Sequence, residues 1–165
     1  MSELIPLPHQ VAGAQWLSER KHALLADEPR CGKTGAAIMA ADRGAEQSIL
    51  VVTTASGRPV WHRAFPAWSK AGRSVQGLTS AAPAKADGVM GGWPSVANNG
   101  VRAELLKRQW DRVILDESHY AKSFESFDGR PVQRTQAVYG VPLDDGRHVN
   151  QTTAIVSRAK GVWAL

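Results

Sequence analysis

The sequence holds a single cysteine, Cys31, in 165 residues. No internal disulfide can form and a thiolate zinc site is excluded, so a reducing, intracellular setting is expected. Long apolar runs are also missing. Apolar runs such as residues 49–52 and 113–115 fall far short of the roughly 20 needed to cross a bilayer. The first residues carry no basic segment leading into an apolar stretch, so nothing points to export or to a membrane partner. Repeats and low-complexity tracts are absent, and Pro, Gly, Ser and Asn fall between apolar segments as punctuation. One continuous domain over residues 1–165 is expected, long enough to bury a core and too short for two ordinary ones.

What is present is an excess of positive charge. Twenty Lys and Arg against 15 Asp and Glu give +5, which attracts polyanions in a salt-dependent way. The hydrophobic fraction of 43% with 21% charged residues lies in the globular range.

Apolar periodicity predicts a helix over residues 8–20, with Val11, Ala14, Trp16 and Leu17 roughly on one face. A strand at 23–26 and a helix at 35–41 follow, then a strand at 48–53 and a helix at 59–68 with Val60, Trp61, Ala64 and Phe65 as its apolar positions. Further strands are expected at 75–78, 88–90, 112–115 and 161–165, and helices at 102–109, 133–139 and 151–160. Strands alternating with helices imply an α/β fold, a mostly parallel sheet with helices on both faces.

Between the first strand and its helix stands Ala26-Asp27-Glu28-Pro29-Arg30-Cys31-Gly32-Lys33-Thr34. Backbone N–H groups at a helix N-terminus surround phosphate oxygens, Lys33 would pair with the β and γ phosphates, and the Thr34 hydroxyl would ligate magnesium. The bland alternative is a loop that merely contains Gly-Lys-Thr, and the standard phosphate-loop spacing would place glycine at Asp27. Residues 113–115, an apolar run 80 positions or more beyond Lys33, lead straight into Asp116-Glu117-Ser118-His119. An acid at a strand end beside a phosphate loop suits magnesium, so Asp116 would hold the ion, usually through water. Glu117 would orient and deprotonate the water attacking the γ phosphate. A solvated acidic turn is the alternative for the Asp-Glu pair alone.

At the start of the first helix, Gln10 both donates and accepts, matching the N6 and N7 edge of adenine. Taken alone it is a surface glutamine, and His9 a helix-start histidine. Arg58, His62, Arg63, Lys70 and Arg73 form a basic stretch where backbone phosphates could lie, or a solvated basic face. Of the six tryptophans, Trp16, Trp61, Trp110 and Trp163 sit in apolar patterns as core residues. Trp93, between glycine and proline, is the one candidate for stacking on a base. Cys31 beside a helix N-terminus is a reactive probe, with no sign of thiol catalysis.

With these residues in order, the chain resembles the superfamily 2 helicases and translocases, more narrowly the Swi/Snf-type and related phage or bacterial DExH-box ATPases. Pro8-His9-Gln10 with Gly13 and Trp16-Leu17 is similar to the Q-motif entry, Asp27-Glu28 through Gly32-Lys33-Thr34 to motif I, and Asp116-Glu117-Ser118-His119 to motif II. Residues 49–54 with Trp61 behind them look like motif Ia, which in the family touches a nucleic-acid backbone. Met90 to Val96 resembles motif Ib only weakly.

The resemblance covers almost the whole chain as a RecA-like P-loop NTPase domain, the N-terminal half of a DNA-dependent ATPase that is a helicase or double-stranded DNA translocase. It implies ATP and Mg²⁺ as ligands, with Gln10, Arg30, Gly32, Lys33 and Thr34 contacting nucleotide, Thr34 and Asp116 the metal, and Lys33 and Glu117 in catalysis. It also implies His119 as the link to the polymer side, and Arg58, His62, Arg63 and Trp93 as candidates for nucleic acid. DNA is expected over RNA, in the cytoplasm of a bacterial or phage-infected cell. The family usually has glycine where Arg30 stands, so the loop is shaped differently or Arg30 leans outward or toward phosphate.

Residues 162–165 resemble the strand leading into motif III, and the sequence stops before that motif, so a C-terminally incomplete domain is expected. A second RecA-like domain, which in such motors supplies an arginine finger worth about 10³ to 10⁵ in rate, would come from a separate C-terminal helicase half. Weak hydrolysis by the isolated domain follows. The rival expectation is a non-catalytic nucleotide- or DNA-binding fragment that regulates or completes a separate helicase half. A small P-loop kinase or signalling NTPase is disfavoured by the adenine-type glutamine and by Ser-His after the acids.

Overall fold

The computed structural model describes residues 4–28, 30–78, 86–143, 149–150 and 153–165. Its strands are β1 (His22–Leu24), β2 (Ile49–Thr53), β3 (Val75–Gly77), β4 (Gly88–Gly92), β5 (Arg112–Leu115), β6 (Val141–Pro142), β7 (Val149–Asn150) and β8 (Val162–Ala164). The helices are α1 (Pro8–Ser18), α2 (Lys33–Arg43), α3 (Gly57–Trp68), α4 (Trp93–Ala97), α5 (Asn99–Leu106) and α6 (Gln133–Tyr139). Six strands form one sheet in the order β1-β8-β5-β2-β4-β3, and every pairing in it is parallel. The α/β architecture expected from the sequence is the one observed. Among the described residues no helix is long and apolar enough to cross a membrane.

A parallel sheet is covered on both faces, so its central strands read as near-continuous apolar runs. β2 and β5 are buried throughout. Their alternate side chains feed two separate cores. Ile49, Val51, Ile114 and Trp163 pack with Ala14, Leu17, Trp61 and Phe65 and with the alanines of α2. Leu50, Val52, Val113 and Leu115 pack with Trp93, Val96, Leu105, Trp110 and Val138 on the other face. Helices α1 to α3 thus cover one face and α4 to α6 the other. The small side chains of α2 let its neighbours come close; a Cβ on Gly35 would lie 2.8 Å from the Trp68 ring.

Several local expectations are corrected. Trp16 is not core: it is 36% exposed, with the Arg20 guanidinium 4.5 Å from its ring centroid. Val60 is likewise exposed, because Trp61 and Phe65 already fill the inward stripe of α3. The helix expected at 151–160 begins outside the described residues, and within them residues 155–158 form a 3₁₀ turn in place of an α-helix. There the Trp110 backbone pairs with Arg158 and Lys160 on either side of Ala159, pulling the chain straight toward β8. Helix α5 starts earlier than expected, where Asn98 Oδ1 accepts the N–H groups of Gly100 (3.0 Å) and Val101 (3.2 Å). The one-turn helix α4 and the antiparallel β6–β7 pair carry no periodic signal long enough to read.

Arg73 is no free surface cation. Its side chain is 5% exposed, with Nε donating to Asp42 at 2.6 Å and the guanidinium also reaching the Glu46 and Ala41 carbonyls. Asp42 additionally accepts from the backbone N–H of Lys70 (2.7 Å) and from Ser69 Oγ, which ties the end of α3 to α2. At the C-terminus of α2 the N–H groups of Ala45 and Glu46 close on the carbonyls of Asp42 and Ala41, a Schellman turn that puts Ala45 at φ 52°.

Arg112, at the start of β5, is buried. It donates from Nη2 and Nε to Glu46 (2.5 and 3.1 Å) and from Nη1 to the Lys21 carbonyl (2.6 Å), with its guanidinium 3.9 Å from the Trp163 ring centroid. A side chain on Gly161 would overlap that guanidinium.

One residue before it, Asp111 accepts from Lys160 (2.6 Å) and from the backbone N–H groups of Gln47 (2.7 Å) and Ser48 (3.1 Å). Burial acts to raise its carboxyl, but Lys160 and the two N–H groups outweigh it and hold the group below its ordinary 3.8. The ionised carboxylate therefore stabilises the fold fully above pH ~4 and loses that contribution as pH falls through its lowered value. The thermal midpoint should fall between about pH 5 and about pH 3 more steeply in the wild type than in Asp111→Asn, which should be the less stable protein at pH 7. Parallel profiles for the two proteins would contradict this assignment.

Candidate functional site

Because every strand of the main sheet runs the same way, the segments after β1, β2 and β5 emerge on one edge. Beyond β1 the ladder continues for one residue, the Leu25 N–H donating to the Ala164 carbonyl at 2.8 Å. The chain then crosses an exposed loop and enters α2 through Gly32, which caps the helix at φ 77°. The first turn of α2, beginning at Lys33, presents backbone N–H groups that have no partner within the helix. Lys33 Nζ reaches back into the loop, donating to the Asp27 carbonyl at 2.7 Å and lying 3.4 Å from that of Glu28. The loop folds around this ammonium.

Helix α1 closes on the same loop. His9 Nε2 donates to the Cys31 carbonyl at 3.0 Å. Gln10, only 8% exposed, accepts the Leu7 N–H at 2.9 Å, and a Cβ on Gly32 would overlap its Nε2. Gly32 is therefore required twice, for its left-handed backbone and for the amide beside it. The structure brings His9 and Gln10 against the Cys31-Gly32 turn that precedes Lys33.

Asp116 follows β5. Between β1 and β5 lies only β8, so the two segments are two strand spacings apart, about 10 Å. Asp116 Oδ2 accepts from Thr53 Oγ1 (2.6 Å) at the end of β2 and from Trp61 Nε1 (2.8 Å) on α3. Its carbonyl accepts from Trp93 Nε1 at 3.1 Å. This bond corrects the reading of Trp93 as a stacking platform: the ring is 2% exposed, its polar edge spent inside the fold. Glu117 is exposed at φ 53°, and its carboxylate lies 3.2 Å from His119 Nδ1. The His119 ring packs against Tyr120, with centroids 4.8 Å apart.

Arg58, His62 and Arg63 stand exposed on α3, Arg58 and His62 one turn apart and Arg63 a further ~100° around the helix. Arg30 is exposed at φ 69°. The backbone at this position is left-handed, the conformation that glycine adopts without strain.

Among the described residues no group of three or more His, Cys, Asp or Glu gathers around a possible cation. On this edge Thr34 offers a hydroxyl and Asp116 a carboxylate. Such a pair fits magnesium, which takes most of its ligands from phosphate and water.

In the sequence Thr53 and Trp61 read as the motif Ia-like strand and the core residue behind it, not as partners of Asp116, and Arg112 reads only as a strand start. The available signal was chemical: a buried indole N–H must find an acceptor.

The sequence matches neither a protein-family model nor a curated protein. The fold is similar to a solved structure, the SWI2/SNF2 ATPase core of Sulfolobus solfataricus in complex with double-stranded DNA, with TM-score 0.66 and 16% identity. The similarity covers 100% of this chain and 34% of that one, so the chain spans about a third of its length. The shared feature is the fold, a six-stranded all-parallel sheet with helices on both faces.

The two left-handed positions of the loop make opposite predictions. A non-glycine residue in this conformation costs roughly 1–2 kcal/mol. Arg30→Gly should leave the protein as stable or up to about 1 kcal/mol more so, a rise of about 2–4 °C in thermal midpoint at most. Gly32→Ala should lower the midpoint and displace Gln10. A lower midpoint for Arg30→Gly would show that its side chain holds the loop.

Proposed function

We propose that the chain binds Mg·ATP and forms the ATP-binding half of a DNA-dependent ATPase, a helicase or double-stranded DNA translocase. The observation that supports this reading best is the convergence on one sheet edge of a Gly32-capped loop, the Gln10 amide against it, and the Asp116-Glu117 pair. Lys33 exchanges the carbonyls of Asp27 and Glu28 for phosphate oxygens, and the first N–H groups of α2 donate to the same anion. Gln10 reads the adenine edge, and Arg30 lies beside the phosphates. Thr34 and Asp116 hold the metal, whose charge neutralises the phosphates when it is bound. Glu117 takes the proton of the attacking water, with His119 at its side.

The solved neighbour contains double-stranded DNA, and the net charge of +5 supports a polyanionic partner here. Arg58, His62 and Arg63 would meet its backbone, and His119 would pass nucleotide state to that side. A separate C-terminal helicase half would complete the ATP cleft. A second reading, a nucleotide- or DNA-binding module without turnover, is favoured by Arg30 at the left-handed position and by the Lys33 ammonium resting on its own loop.

Calorimetric ATP binding and steady-state phosphate release, with and without duplex DNA at low salt, test these readings. Lys33→Ala should weaken binding by about tenfold to a hundredfold, the worth of charge-assisted hydrogen bonds. Glu117→Gln should keep binding and lose any DNA-stimulated release. Equal ATP affinity in wild type and Lys33→Ala would overturn the phosphate-loop assignment. Binding with no release above the Glu117→Gln level would leave the ATP-binding assignment standing and favour an incomplete half or a module without turnover.

A further inference from the structure

We infer that Trp61 is a positioning residue for Asp116, acting with Thr53 to fix which carboxylate oxygen faces the metal; this rests on the nucleotide reading above. Asp116 Oδ2 accepts two short bonds, from an O–H at 2.6 Å and an N–H at 2.8 Å. Those donors come from different elements, β2 and α3, so the carboxylate is gripped from two directions and its plane is set. Oδ2 is committed to the protein, and Oδ1 is the oxygen left to address magnesium or its water.

Packing alone does not require this arrangement. Trp61 is 0% exposed and touches Phe65 with ring centroids 5.9 Å apart, contacts that a phenylalanine would largely reproduce. The indole adds one N–H, and it is spent on the carboxylate of the acidic pair. Gly57, one turn before Trp61, keeps the space open: a Cβ there would overlap Thr53 Oγ1 and lie 3.3 Å from Asp116 Oδ2. Helix α3 therefore contributes both the donor and the room for the hydroxyl beside it. Groups that orient a metal ligand from behind typically change metal affinity by about 10- to 100-fold when removed.

The test is calorimetric binding of ATP to the full chain in excess Mg²⁺ and in EDTA, for wild type, Trp61→Phe and Thr53→Val. The readout is the gain in affinity that Mg²⁺ confers. This gain should fall by about tenfold in both variants while affinity in EDTA stays within about twofold of wild type. A merely structural role would lower both affinities together and would overturn the inference. So would an undiminished gain in the variants. If Trp61→Phe does not fold, Thr53→Val, which keeps the side-chain size and replaces the hydroxyl with a methyl, carries the same two outcomes. A wild-type chain that binds no ATP under either condition overturns the nucleotide reading and the role of Trp61 with it, a result distinct from variants that behave as wild type.

Discussion

A buried guanidinium at the amino end of the central strand sets the geometry of the sheet. Arg112 joins four segments: its own strand β5, the turn after α2 through Glu46, the entry to β1 through the Lys21 carbonyl, and β8 through the face of Trp163. Removing one partner of such a pair leaves an uncompensated charge in the interior, at a cost of roughly 3–5 kcal/mol. The Trp163 indole reinforces the arrangement by donating to the Arg20 carbonyl at 2.9 Å. With β1, β8 and β5 fastened at their starts, their far ends arrive together on the opposite edge. The loop before α2 and the acids after β5 are therefore neighbours by construction.

On that edge, polar groups replace apolar packing as the source of order. Asp116 is held through its carboxylate by a tryptophan from one face of the sheet and through its carbonyl by a tryptophan from the other. Two non-glycine residues at the site, Arg30 and Glu117, adopt left-handed backbone. Strain of this kind persists where the surroundings over-determine it, and it gathers at functional sites. Ala45 shares the conformation, yet there it closes a Schellman turn at the distal end of α2 and has a purely conformational cause.

Much of this was legible in the sequence, because apolar runs buried on both faces and a helix-initiating Gly-Lys-Thr are local signals. The sheet strands β1 to β5 and β8 and the helices α1, α2, α3 and α6 follow the expected pattern. What the sequence hid depends on contacts between distant segments. Nothing near Arg112 announces Glu46, 66 positions away, and nothing near Asp116 announces Trp61. Trp93 misled because its flanking glycine and proline look like an exposed turn, whereas that turn begins α4 and folds the ring under Asp116. Within the described residues of the helix expected at 151–160, a 3₁₀ turn stands at Ile155–Arg158 and the Trp110 backbone then bridges residues 158 to 160.

In the proposed reading, the loop before α2 and the acids after β5 converge on one nucleotide. Amide hydrogen exchange with and without Mg·ATP tests that convergence most directly, since it maps the ligand onto the chain without requiring turnover. The account predicts slowed exchange at residues 30–35 and 116–118, with β3 and β4 unchanged. Saturating Mg·ATP that leaves both segments unprotected, or that protects only a surface away from this edge, would contradict it.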